Sequence, residues 1–262
     1  MGKITDALHK AAKERIDRLD KVIKIKEQKK IVARKMKDSK VDARLVPYFD
    51  PKSLVSEQYK SLVTNLLSLN KGKPPHTIAI TSSAPGEGKS VTALNLAITL
   101  SHAIHKPKVL LIDADMRKGK MVKYLGIEGQ QKGLSEYLSS NAQLEDIIFH
   151  IDIDHLSFIS CGQVPSHPAD LLASARMNEL LRELRSQFEY IFIDTPPVIA
   201  VTDAVVIGSN VDGVLMVIRA GETQRGIVAR ASELLNQAHA KIIGHVLTGI
   251  EYFVPDYIYR YL

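Results

Sequence analysis

The chain has 262 residues, with 35 Lys+Arg against 29 Asp+Glu and a single cysteine. That length fits one large domain with an appendage. No apolar run approaches the ~20 residues of a membrane-spanning helix, and Cys161 has no partner for an intrachain disulfide. Residues 1–45 hold 15 basic and 7 acidic residues, leaving 20 and 22 for the rest, so the excess charge lies in the N-terminal segment and a domain-wide nucleic-acid surface is excluded.

Residues 1 to about 40 read as a helix. Ile4, Leu8, Ala12, Ile16, Leu19 and Ile23 recur at spacings of three and four and share one face. Lys and Arg cover the remainder, a pattern that suits a solvated helix or one lying on an anionic membrane or a partner helix. Val41 to Lys52, with Pro47 and Pro51, reads as a linker. Ser53 to Leu69 reads as a helix with Ser56 as a candidate cap, broken by Lys71-Gly72-Lys73-Pro74-Pro75. Strands are then predicted at Thr77–Thr81, Val109–Asp113, Leu156–Ser160, Tyr190–Asp194, Val214–Ile218 and Ile242–Thr248. Helical stretches near 89–104, 167–187, 202–209 and 224–239 separate most of them. Short apolar strands alternating with helices imply a mostly parallel sheet covered on both faces.

Three motifs fall at strand ends. Ala84-Pro85-Gly86-Glu87-Gly88-Lys89-Ser90 stands between a strand and a helix. Gly86 and Gly88 let the backbone bend and approach a phosphate, and the helix N-terminus adds positive potential. Lys89 is placed to reach the β- and γ-phosphates and Ser90 to ligate Mg²⁺. The expected phosphate-binding set is Pro85, Gly86, Glu87, Gly88, Lys89, Ser90 and Val91. Ser83 stands where the usual pattern has its first glycine. Leu110-Leu111-Ile112-Asp113-Ala114-Asp115-Met116-Arg117 ends a second apolar run in two acids, and Ile191-Phe192-Ile193-Asp194-Thr195-Pro196-Pro197 ends a third in another. Ligands of open α/β sheets bind at the carboxyl ends of strands. Carboxylates there can support Mg²⁺ through its waters or take a proton from an attacking hydroxyl. Asp113, Asp115 and Asp194 are therefore the candidate metal and catalytic acids beside Lys89 and Ser90, with Arg117 able to pair with an acid or a phosphate. The nine histidines lack zinc-site spacing, and Cys161 reads as a small buried residue rather than a nucleophile.

At these residues the chain resembles the bacterial tyrosine kinase (BY-kinase) family in its form without a fused membrane part, over roughly residues 53–262. Leu110 to Arg117 is similar to that family's Walker A′ motif, and Ile191 to Pro196 to its Walker B. Pro165 to Leu172, Asp203-Ala204 and Val211-Asp212-Gly213 agree as well. The resemblance implies a P-loop NTPase fold of class α/β that carries out ATP- and Mg²⁺-dependent protein-tyrosine phosphorylation. The phospho-acceptors it implies are the C-terminal cluster Tyr252, Tyr257, Tyr259 and Tyr261, modified between subunits. It further implies control of polysaccharide polymerisation and export, a transmembrane co-polymerase as activator, an opposing tyrosine phosphatase, and a cytoplasmic place at the inner face of the plasma membrane. The organisation expected is a basic helical segment over 1–45, a linker and oligomerisation-type helix over 46–75, a kinase domain over 76–248 and a tyrosine-rich tail over 249–262. The family's ring contact uses Glu-x-x-Arg-x-x-Arg, where this chain has Glu57, Lys60 and Val63; a bidentate pair is lost there. Partitioning ATPases of the deviant-Walker class carry an additional Lys early in the loop, where this chain has Ala84 and Pro85, which weighs against that alternative. A nucleotide-gated scaffold with little catalysis is the other alternative.

Overall fold

The computed structural model describes residues 32–34, 36–37, 40–69, 76–129 and 132–250. Among the described residues eight strands form one sheet: β1 (Val32–Arg34), β2 (Thr77–Ser82), β3 (Val109–Asp113), β4 (Ile148–Ile151), β5 (Leu156–Ile159), β6 (Tyr190–Asp194), β7 (Gly213–Arg219) and β8 (Ile242–Thr248). Their spatial order is β1-β4-β5-β3-β6-β2-β7-β8. β4 and β5 run antiparallel, and all other neighbours run parallel.

The central strands are apolar throughout because both faces are covered. Successive side chains of a strand point to opposite faces, and β3 shows the result. Leu110 and Ile112 join one core layer with Leu180, Leu184 and Ile207 of the helices Ala175–Arg185 and Asp203–Gly208. Val109 and Leu111 join the other, with Leu94 and Ile98 of the helix Lys89–Ser101 and Val63 and Leu66 of the helix Leu54–Ser68. Fully burying one such leucine is worth roughly 1.5–3 kcal/mol. In the helix Lys89–Ser101, every residue from Thr92 onward is buried, so the element that carries the phosphate-loop lysine is enclosed between the sheet and the helix Leu54–Ser68.

All six expected strands are present, and several expectations need correction. Val41 to Lys52 is not a linker: it forms a short helix, Val46–Phe49, with Pro47 buried, and Leu45 is fully buried in the second core layer. The Asn95 side chain, on the phosphate-loop helix, donates to the Arg44 carbonyl at 2.9 Å. The cap of the helix Leu54–Ser68 is Ser53, whose hydroxyl accepts from the Ser56 N–H. Ser56 instead donates to the Asp50 carbonyl at 2.6 Å. The stretch 167–187 is two helices, Pro168–Leu172 and Ala175–Arg185, because Ser174 caps the second by accepting from the Met177 N–H. Between β3 and β5 lie three helices of four or five residues, Met121–Tyr124, Leu134–Leu138 and Leu144–Ile147, and the strand β4. The helix expected over the first forty residues does not extend through Val32–Arg34, which pairs with β4; its apolar stripe, Ile4 to Ile23, lies outside the described residues.

Candidate functional site

Strand register places the three motifs together. β3, β6 and β2 are adjacent, Asp113 pairs with Asp194, and Ile80 pairs with Asp194 across the other side. The chain is locked as it leaves the sheet: Ala114 N–H donates to the Asp194 carbonyl at 2.8 Å and Thr195 N–H to the Ile80 carbonyl at 3.0 Å. Gly86 and Gly88 have φ of 87° and 95°, a left-handed backbone that only glycine adopts without strain.

The Lys89 ammonium lies 3.2 Å from Asp115 Oδ2 and 3.5 Å from Asp194 Oδ2. Ser90 donates its hydroxyl to Asp194 Oδ2 at 2.5 Å. Burial pulls the Lys89 pKa down, but Asp194, Asp115 and Asp113 outweigh it and the net shift is upward, so the side chain stays an ammonium at neutral pH. Burial pushes the Asp194 carboxyl up, and Lys89 and Ser90 only partly oppose it. Burial and the neighbouring Asp194 raise Asp113 as well. Two enclosed carboxyls side by side resist double ionisation without a cation between or beside them.

The cleft these residues open into has a volume of roughly 320 Å³. It is lined by Pro85, Gly86, Gly88, Lys89, Ser90, Val91 and Asp115, by the apolar Pro196, Pro197, Ala200 and Val201, and by Arg44, Arg117, Lys118, Lys120 and Tyr124. Of the three acids, Asp115 is the one that lines the cleft. Asp113 is buried behind it, where its oxygens accept the N–H groups of Asp115 and Met121 at 3.2 Å each. It therefore holds the segment 115–121 rather than facing the opening.

Glu87 belongs to the loop, yet its side chain turns inward. It accepts the Ala84 N–H at 2.7 Å and the Thr223 hydroxyl, which leaves its backbone N–H as the group it can offer a phosphate. Thr248, at the end of β8, donates its hydroxyl to the Glu87 carbonyl at 2.7 Å. These two threonines brace the loop from behind, and no spacing in the sequence points to either. Ser83 is buried, its hydroxyl without a partner among the described residues. Arg117 pairs with an acid, and that acid is Asp203: Nε and Nη2 reach its two oxygens at 2.9 and 3.0 Å. Arg44 was not among the candidate residues either. Asp42 grips its guanidinium at 2.8 and 2.7 Å, and it lies 4.9 Å from the centre of the Tyr124 ring. Glu57 and Lys60 pair with each other at 2.7 Å on an exposed helix face, whereas Val63 is buried. Cys161 is half-buried, and burial together with Asp113 pushes its thiol up to about 12, in keeping with a non-nucleophilic role. Tyr252, Tyr257, Tyr259 and Tyr261 lie outside the described residues.

Comparison with known proteins agrees with this geometry. A family model described as AAA_31, an AAA domain, matches residues 75–238. The tyrosine-protein kinase YwqD of Bacillus subtilis is 36% identical over 216 residues, covering 82% of this chain and 90% of the relative. The tyrosine-protein kinase CpsD of Streptococcus agalactiae is 39% identical over 201 residues, covering 77% and 86%. Among solved structures, the kinase domain of the Escherichia coli tyrosine kinase ETK superimposes with a TM-score of 0.76 at 31% identity, over 80% of this chain and 82% of that one. Identities of 36% and 39% over most of the length of such relatives, with a mostly parallel sheet that superimposes on a solved kinase domain, make this chain a member of the bacterial tyrosine-protein kinase family with the P-loop NTPase fold.

Proposed function

We propose that the chain is an ATP-dependent protein-tyrosine kinase that phosphorylates the tyrosines of its own C-terminal cluster, Tyr252, Tyr257, Tyr259 and Tyr261, between subunits. The observation that carries this reading is that Lys89, Ser90 and Asp115 line one cleft, with Asp194 buried in contact with both Lys89 and Ser90. The loop N–H groups and Lys89 hold the β- and γ-phosphates of ATP. The acceptor phenol oxygen attacks the γ-phosphorus. The new P–O bond forms as the bond to the β,γ-bridging oxygen breaks, and ADP leaves with that electron pair. A phenol of pKa near ~10 is mostly protonated at neutral pH, so its proton needs an acceptor. Asp115 takes it, being the acid that faces the opening. Lys89 offsets the charge that gathers on the transferred oxygens.

The residues present fit Mg²⁺. The second carboxylate oxygen of Asp194 is buried without a partner among the described residues, the Ser90 hydroxyl is bonded to the first, and all the donors are hard oxygens. Among the described residues no three acids, histidines or cysteines group closely enough to cage a metal alone, which suits an ion that takes most of its ligands from phosphate and water. Asp194 and Ser90 would hold it, with Asp115 and Asp113 supporting, and bound there it would neutralise phosphate charge.

The family resemblance adds the setting: control of polysaccharide polymerisation and export, a transmembrane co-polymerase as activator, a tyrosine phosphatase that reverses the reaction, and self-association. No helix among the described residues is long and apolar enough to cross a membrane; residues 1–40 supply the contact with a membrane surface in this reading. Incubating the full chain with Mg-ATP and mapping phosphate by mass tests the reading. Phosphate is expected on the tail tyrosines, and Lys89→Met is expected to lower transfer by about 10²–10³-fold. ATP-dependent phosphotyrosine persisting at the unaltered rate in Lys89→Met would sink it.

A further inference from the structure

β8 ends the strand order, so no strand among the described residues pairs with its far side. Thr248 uses its carbonyl on the Ala220 N–H at 2.8 Å, on the side of β7. Backbone groups of successive strand residues alternate in direction, so those of Leu247 and His245 point away from β7. Between this free edge and the helix Leu54–Ser68 runs a groove of about 560 Å³, lined by Val55, Tyr59 and Leu62 of the helix and by the stretch from His245 to Ile250. Leu247, Ile250 and Val55 are 57%, 47% and 41% exposed. Open apolar surface thus lies beside a row of open backbone groups, which is a template for an added strand. Val55, Tyr59 and Leu62 recur at spacings of four and three and share one flank of the helix, apart from the Glu57–Lys60 pair.

The chain itself supplies an occupant. Its last described residues, Gly249 and Ile250, already line the groove. Gly249 has a φ of 64°, the left-handed backbone that reverses a strand in tight hairpins. Glu251-Tyr252-Phe253-Val254 comes next, and Pro255 follows. Tyr, Phe and Val suit a half-buried strand, and a proline ends its pairing. Four extended residues span about 13 Å, and the helix rises about 15 Å from Val55 to Asn65. The stretch therefore matches the groove in length as well as in chemistry.

We propose that residues 251–254 fold back along the free edge of β8, bond to the backbone of Leu247 and His245, and seat Phe253 in the groove as an apolar anchor. The docked stretch is a latch. It pins Tyr252 against β8 and leaves Tyr257, Tyr259 and Tyr261, beyond Pro255, free to enter a cleft. A phosphate on Tyr252 would bring about −1.5 to −2 of charge to an apolar seat and oppose redocking. The docking goes beyond the kinase reading and does not need it; the effect on the order of phosphorylation rests on that reading.

The chain has no tryptophan, so Phe253→Trp places a single reporter in the full chain. Its emission is expected to be blue-shifted from that in denaturant, to move back when Leu247→Asp or Val55→Asp is added, and to be independent of protein concentration. Hydrogen exchange at the His245 and Leu247 amides is expected to be at least about tenfold slower in the unaltered chain than in Phe253→Asp. Solvent-like emission, or equal exchange in those two chains, would overturn the docking. So would a blue shift that appears only as concentration rises, which gives the groove to a second copy, or protection lost only on deleting residues 1–31, which gives it to the N-terminal segment. With Mg-ATP, Tyr252 is expected to take phosphate at least about fivefold more slowly than Tyr257, Tyr259 and Tyr261, a lag that Phe253→Asp removes. Equal rates in the unaltered chain would overturn the latch. Transfer to no tyrosine, with exchange protection intact, would bring down the kinase reading and leave the docking standing.

Discussion

Two loops reach the same cleft and are braced differently. In the phosphate loop, after β2, the braces all meet on Glu87, whose carboxylate accepts the Ala84 N–H and the Thr223 hydroxyl and whose carbonyl accepts the Thr248 hydroxyl. Its glycines present bare N–H groups. The loop after β3 is braced by carboxylates: Asp113 to Asp115 and Met121, Asp115 to Lys118, and Asp203 to Arg117. It presents one acid and several cations. The first suits a ligand part that is always the same, a polyphosphate. In the second, Asp113, Asp115 and Asp203 hold backbone N–H groups and the Arg117 guanidinium, which fixes the path of the segment 115–121.

The contrast can be broken most forcefully at Gly119. No special backbone is needed there, but there is no room for a Cβ, with Cys161 Sγ at 2.6 Å and Asp113 Oδ2 at 2.8 Å from where it would sit. Gly119→Ala is expected to cost about 1–3 kcal/mol, read as a fall in thermal midpoint of roughly 2–4 °C per kcal/mol, and to raise the acceptor KM. An unchanged midpoint and KM would show that the second loop is loosely held. Gly86 is the reverse case: φ is 87° and nothing lies within 4 Å of an added Cβ. Gly86→Ala is expected to cost about 1–2 kcal/mol of pure backbone strain. That cost should weaken nucleotide affinity and leave the acceptor KM at saturating nucleotide near its original value. A loss confined to the acceptor would contradict the division of labour between the loops.

The gentlest probe changes no residue. Cys161 backs the second loop, and its thiol is pushed up from 9.0 to about 12 by burial and Asp113. At pH 8 the folded thiol is protonated, and alkylation by iodoacetamide should run at least about tenfold slower than in denaturant. The sign is that of a raised folded-state pKa. The contribution to stability is whole below pH 9 and fades as pH climbs towards 12, because the unfolded thiol ionises first. Equal alkylation rates in the two states would show that the packing behind Gly119 opens freely.

Much of the first loop was legible in the sequence, since strand, glycines, Lys89, Ser90 and helix are contiguous. The acids were legible because each ends an apolar run. What braces them was not. Arg117 and Asp203 are 86 positions apart, and Thr223 and Thr248 meet Glu87 across 136 and 161, distances at which no local periodicity survives. β4 was missed because it follows the helix Leu144–Ile147 without a turn residue and exposes His150 in its middle. The linker reading of Val41–Lys52 gave its prolines too much weight: Pro47 enters the first turn of a helix, where a missing N–H costs nothing, and Leu45 beside it is core. The break after Leu172 carries no Gly or Pro; its signal is the cap residue Ser174, hidden inside an otherwise helical pattern.

The hydrogen bond from Thr248 to the Glu87 carbonyl also bears on biosynthesis. A growing chain acquires Lys89, Asp115 and Asp194 well before it acquires β8, yet this prop for the nucleotide cradle arrives only with the final strand. A ribosome stalled after residue 240 would hold a polypeptide whose diagnostic signatures are all intact and whose cradle still lacks one of its supports. These three residues are thus in place early and braced late, within a few residues of the point where the tyrosine-bearing stretch begins to emerge.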